Sequence, residues 1–125
     1  MTNEESFTET LDSIAKKLSS YGITSYSEAV MQASVEHILT LEQLKFWPEK
    51  FLSKTERIDF LVEGDIGIEC KINGSTISVT RQLLRYARTE MLNGIILVTT
   101  RCRHRAIPAT LYGCAVRVVY IGSFL

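Results

Sequence analysis

The chain has little cysteine, no net charge and no long apolar run. Each shortage excludes a class. Three cysteines in 125 residues, Cys70, Cys102 and Cys114, are odd in number and widely scattered. They form neither a disulfide framework nor a zinc-ligand spacing. They are expected to act as small buried or half-buried hydrophobes, and a reducing, cytoplasmic setting fits them. No run of apolar residues approaches the ~18 needed to span a membrane. The opening MTNEESFTET is acidic and polar, unlike a secretory signal. There are no internal repeats, low-complexity segments or long linkers, and the length suits one domain with one core. Within it, residues 1–42 are expected to form N-terminal helices and residues 43–125 the sheet that carries the site.

Zero net charge argues against a dedicated nucleic-acid coat, but the balance is uneven. Residues 1–50 carry eight acids and four bases, net −4; residues 51–125 carry six acids and ten bases, net +4. Eight of those ten bases are arginines, whose forked guanidinium suits bidentate phosphate contacts.

The basic half contains Arg57–Ile72, RIDFLVEGDIGIECKI. Ile58, Phe60 and Val62 alternate with Arg57, Asp59 and Leu61. Ile66, Ile68, Cys70 and Ile72 alternate with Gly67, Glu69 and Lys71. This period of two predicts two strands, and Glu63-Gly64-Asp65 predicts their turn, with Gly64 free to take a positive φ. A three-residue loop pairs Val62 with Ile66 and so sets Asp59 opposite Glu69. Opposed carboxylates about 5 Å apart are destabilising and call for a cation, a proton or solvent exposure. A two-residue loop would slip the register and break this arrangement.

Around the hairpin, Phe7, Leu11, Ile14, Ala15 and Leu18 predict a helix over Glu5–Ser20. Ala29, Val30, Ala33, His37 and Leu41 predict a second over Ser25–Leu41, capped at Ser25 or Ser27. His37 is expected to pack half-buried. Leu44–Leu52 predicts a first strand, interrupted or placed at an edge by Pro48, with Trp47 and Phe51 filling the core from one face. Asn73-Gly74-Ser75 is a turn, followed by a helix from about Ser78 to Met91. Gln82 and Tyr86 share one face of it, and Arg81, Arg85 and Arg88 form a neighbouring basic stripe. Gly94–Thr99 is nearly all apolar, as strands covered on both faces are. The strand–helix–strand order makes it parallel to Ile66–Ile72. Glu69, Lys71, Arg101, Arg103, His104 and Arg105 then gather at the carboxyl ends of the strands, where such sheets bind ligands. Pro108–Tyr112 predicts a short helical turn and Val116–Ile121 a last strand.

Asp59, nine residues and then Glu69-x-Lys71 on a hairpin resembles the PD-(D/E)xK nuclease superfamily. The resemblance covers roughly Glu36 to the C-terminus. Ile58 stands where that family usually has proline. Gln82-x-x-x-Tyr86 is similar to the extra motif of its RecB-type members. The implied fold is α/β and restriction-endonuclease-like: a mixed sheet, with antiparallel hairpin and parallel crossover strand, flanked by helices in the order αα-βββ-α-β-β. The implied activity is a Mg²⁺-dependent deoxyribonuclease in which Mn²⁺ can substitute. Asp59, Glu69 and the Cys70 backbone carbonyl would hold the metal, with Glu36 from the preceding helix completing the site and Glu28 and Glu49 as alternatives. Lys71 would orient or deprotonate the attacking water, and Gln82 would lie close to the metal. Arg81, Arg85, Tyr86, Arg101 and Arg103 are the expected nucleic-acid contacts. DNA is the implied partner, in branched or single-stranded form, and a homodimer or a protein partner supplying specificity is compatible with the small size. An inactive module of the same fold, binding nucleic acid or protein, is the other class the residues allow.

Overall fold

A computed structural model describes residues 2–122. Helix α1 (Asn3–Ser20) starts with a capping box, in which Thr2 Oγ1 accepts from the Glu5 N–H and the Thr2 N–H donates to the Glu5 carboxylate. Its buried face is Leu11, Ile14 and Leu18, the stripe expected from spacing. Helix α2 (Glu28–Leu41) is capped by Ser27, whose side chain accepts from the Val30 N–H. Three strands follow, β1 (Phe46–Phe51), β2 (Arg57–Val62) and β3 (Ile66–Lys71), then helix α3 (Thr76–Arg88) and strand β4 (Gly94–Thr99). A 3₁₀ turn over Cys102–Ala106 leads to β5 (Thr110–Leu111) and β6 (Cys114–Tyr120). The result is α/β, a six-stranded mixed sheet in the order β1-β2-β3-β4-β6-β5.

The expected hairpin and crossover are both present. Val62 faces Ile66 across a three-residue loop in which Gly64 takes φ +94°. Strand β4 runs parallel to β3, Ile66 beside Gly94 through Lys71 beside Thr99. Strand β6 is parallel to β4 in turn. The sheet buries apolar clusters on both faces. Helices α1 and α2 cover one with Leu11, Met31, Val35 and Leu39 over Ile68, Cys70, Ile96 and Val98. Helix α3 covers the other with Val79, Leu83, Tyr86 and Ala87 over Ile95, Leu97 and Val116. Each fully buried aliphatic side chain contributes about 1.5–3 kcal/mol. Among the described residues no helix is long and apolar enough to cross a membrane.

Several expectations are corrected. Helix α2 buries Met31, Val35, Ile38 and Leu39, whereas Ala29, Val30, Ala33, His37 and Leu41 are solvent-exposed. Both stripes have helical spacing, and the sheet selects the one with the bulkier interior residues. Trp47 and Phe51 are 40% and 59% exposed because β1 is an edge strand; they lie under Lys45 and Arg57 as cation–π partners. Cys70 and Cys114 are buried as expected, but Cys102 is exposed. Helix α3 begins at Thr76, capped by Ser75, and ends at Arg88 rather than Met91. Pro108–Tyr112 is not a helical turn. Thr110 and Leu111 pair with Ala115 and Cys114, and Tyr112 and Gly113 both take positive φ, 49° and 74°, as a two-residue hairpin requires. The strand order therefore gains β5 beyond αα-βββ-α-β-β.

Candidate metal centre

Regular pairing fails around Asp59. The β1–β2 ladder contains Pro48 with Phe60 and Lys50 with Ile58, but not Glu49 with Asp59. The β2–β3 ladder stops at Phe60 with Ile68, one step before Asp59 and Glu69. Glu49 takes φ +49°, a strained conformation for a residue with a Cβ. Ile58 and Phe60, two apart and therefore due on one face, pack into opposite clusters. Strand β2 thus twists out of alternation at Asp59, and the opposed carboxylates are accommodated by a change in backbone bonding. The Asp59 N–H donates to Glu69 Oε1 at 3.3 Å, and the Cys70 N–H donates to Asp59 Oδ2 at 2.8 Å. Each carboxylate fills a gap in the partner strand's ladder.

Helix α2 brings a third carboxylate. One ligand atom from each of Glu28, Asp59 and Glu69 lies within 4.8 Å of the others. Glu36 is exposed and sits eight residues further on, about 12 Å along the helix axis. Glu36 lines a groove with Glu49 and Asp59, whereas Glu28, one of the alternatives on the same helix, is the residue of α2 whose carboxylate joins Asp59 and Glu69.

The electrostatics are those of a site short of positive charge. Glu69 is 3% exposed; burial first, and repulsion from Asp59 second, push its carboxyl up to about 8. Burial also raises Asp59, with the Cys70 N–H and then Lys71 opposing. Glu28 is raised by burial too, with Lys71 opposing and Asp59 adding to the rise. Lys71 Nζ stands 3.6 Å from Glu69 Oε2, on the shared face that strand alternation requires. One ammonium beside three carboxylates leaves a net negative, oxygen-rich pocket. That donor set fits a hard divalent cation.

Helix α3 holds the other side. Gln82 Nε2 donates to Glu69 Oε2 at 3.1 Å and to the Tyr86 hydroxyl at 2.8 Å, and Tyr86 donates to the Arg57 carbonyl at 3.0 Å. The Gln82–Tyr86 pair therefore ties Glu69 to the start of β2. Tyr86 is 2% exposed; burial is the main reason its hydroxyl is held well above the ordinary tyrosine range. Arg85 pairs with Glu56 at 3.1 Å and lines a groove with Glu28, Lys71 and Gln82; Arg81 is exposed.

The basic run after β4 divides. Arg101 donates from Nε to the Ile72 carbonyl and from Nη2 to Asn73 Oδ1. Arg103 donates twice to the Gly74 carbonyl. His104 is fully buried: Nε2 donates to the same carbonyl at 2.8 Å, and Nδ1 shares a hydrogen with the Thr99 hydroxyl at 2.6 Å. These bonds hold the turn between Lys71 and α3. Arg101 and Arg103 still present exposed guanidinium edges, whereas His104 is a structural latch. Its burial has no signal in R-C-R-H-R, where an arginine flanks it on either side.

Comparison with known proteins adds no relative: no protein-family model matches the chain, and no curated protein and no solved structure matches it.

Proposed function

We propose that the chain is a metal-dependent nuclease of restriction-endonuclease-like fold that hydrolyses phosphodiester bonds in DNA, with selectivity for branched or single-stranded structure. The observation that carries this reading is the convergence of Glu28, Asp59 and Glu69 within 4.8 Å, with the Lys71 ammonium 3.6 Å from Glu69. Glu28, Asp59 and Glu69 would hold Mg²⁺ or Mn²⁺, joined by the Cys70 backbone carbonyl. When bound, such an ion polarises a phosphoryl oxygen and acidifies a bound water.

The chain's own groups supply the rest. Lys71 offsets phosphate charge and holds the attacking water through Nζ, on the side of Glu69 that faces the groove. Gln82 fixes the Glu69 carboxylate through Oε2, so that its other oxygen stays turned to Asp59. Arg85, which lines the groove with Lys71 and Gln82, and the exposed Arg81 and Arg103 would meet the phosphates, while Tyr86 is buried.

The test is cleavage of linear duplex, single strand, flap and four-way junction in Mg²⁺ and in Mn²⁺, wild type beside Lys71→Ala. Metal-dependent cutting by the wild type alone supports the reading, and the ranking of substrates names the type. No cutting of any substrate, together with no heat on calorimetric titration with Mn²⁺, would remove it in favour of an inactive binding module.

A further inference from the structure

At the carboxyl ends of β3 and β4, beside the metal centre, a cleft opens between the α1–α2 connection and the sheet. Its walls include Ile23, Thr24, Tyr26, Ile72, Thr100 and Arg101. Three features mark it. No acidic residue lines it, although the carboxylate cluster is next door. Tyr26 is 90% exposed, an aromatic ring left in water with no ring partner among the described residues. Arg101 is held in place by its bonds from Nε and Nη2 to Ile72 and Asn73, while its Nη1 has no protein partner and its charge no carboxylate partner among the described residues. A fixed cation with unspent N–H groups, an exposed ring and the hydroxyl of Thr24 match a nucleotide, whose base is flat and apolar on its faces and whose phosphate is anionic.

Continuity points the same way. Tyr26 precedes Glu28 by two residues, and Ile72 follows Lys71 directly. Both walls of the cleft therefore lead into the proposed catalytic centre, and the groove lined by Lys71, Gln82 and Arg85 leaves it on the far side. Resting on the nuclease reading, we propose that this cleft is a nucleotide subsite for single-stranded nucleic acid. The nucleotide next to the scissile phosphate stacks its base on Tyr26 and places its phosphate on Arg101. Stacking on a protein ring needs a base free of its neighbours, which a continuous duplex does not offer.

The probe is a fluorescein-labelled single-stranded DNA oligonucleotide, with the matching duplex as competitor. Binding is followed by anisotropy in EDTA and again in Ca²⁺, so the readout does not require cleavage. The expected result is tighter binding of single strand than duplex, a loss of about 5- to 100-fold in Tyr26→Ala, and retention in Tyr26→Phe. Arg101→Gln should weaken binding and lower the salt dependence by about one released counterion. Tyr26 is so exposed that its replacement leaves the fold intact, which a matching thermal melt verifies. Single-strand affinity unchanged within about twofold in Tyr26→Ala, no measurable binding at all, or duplex bound as tightly as single strand, overturns the subsite. Cutting with no Tyr26 dependence leaves the nuclease reading and removes the subsite; Tyr26-dependent binding without cutting removes the nuclease reading and, with it, the subsite's place beside a scissile phosphate, leaving only a single-strand binding cleft.

Discussion

Replacing Glu69 by glutamine should stabilise the metal-free protein at alkaline pH while abolishing its affinity for divalent ions. Glu69 is 3% exposed, and its carboxyl moves from an ordinary 4.5 up to about 8. Between those values the folded chain holds a proton that the unfolded chain has released. Stability therefore falls as pH rises through this window and levels off above about 8. At about 1.4 kcal/mol for each tenfold change in proton affinity, the full loss is at most about 5 kcal/mol, a large share of a typical domain's stability. Glutamine mimics the protonated acid. Its carbonyl can still accept the Asp59 N–H, and its amide can donate to Gln82 once that amide turns over, at the cost of the Gln82 donation to the Tyr86 hydroxyl. The assay is urea unfolding in EDTA at several pH values. Near pH 5 the two proteins should differ little, and by pH 8.5 the variant should be more stable by about 2–5 kcal/mol. With Mn²⁺ the order should reverse, because ligand binding stabilises only the protein that binds it. A variant less stable than wild type at pH 8.5 in EDTA would refute the reasoning, since burial would then not be opposing the Glu69 charge.

Other outcomes follow from the same geometry. Glu28→Gln should weaken Mn²⁺ binding in calorimetry by tenfold or more, about 1.4 kcal/mol, whereas Glu36→Gln should leave it unchanged; equal effects would break the assignment of the third carboxylate. Lys71→Ala should lower the cleavage rate by about 10²–10⁴ with Mn²⁺ affinity largely retained, measured by single-turnover kinetics beside calorimetry. Gly67→Ala puts a methyl against Ile58 Cδ1 and 3.0 Å from Leu92 Cδ1. Both neighbours are buried, so urea unfolding should show a cost of about 1–3 kcal/mol, and Mn²⁺ affinity should drop as Ile58 displaces Asp59.

The hairpin was legible because its information is local. Alternation over Arg57–Val62 and Ile66–Lys71 and the turn chemistry of Glu63-Gly64-Asp65 determine the register that brings Asp59 and Glu69 together. The apolar run Gly94–Thr99, following a helix, determines a parallel neighbour by the handedness of the crossover. Gln82 and Tyr86, four apart after the turn, could be assigned one face of α3, and that face meets Glu69. The stripe of α1 was legible for a different reason: Leu11, Ile14 and Leu18 have no apolar rival on the opposite side of the helix.

Tertiary structure decided what periodicity leaves open. Helix α2 carries apolar residues on two faces, and only docking on the sheet chose Met31 and Val35 over Val30 and Leu41; that rotation brings Glu28 within 4.8 Å of Asp59 and Glu69 and leaves Glu36 lining a groove with Asp59. The twist at Asp59 comes from ladders on both sides failing at once, which no window of sequence contains. Trp47 and Phe51 read as core by residue type, yet an edge strand has no layer to cover them. His104 sits in a run that looks solvated, and becomes a buried latch because Thr99 and Gly74, distant in the chain, meet its two ring nitrogens. Sequence thus determined most of the elements and the hairpin register from Val62 and Ile66 to Phe60 and Ile68, through interactions a few residues long. Which faces meet, and which charges end up buried together, was decided by packing among segments far apart in the chain.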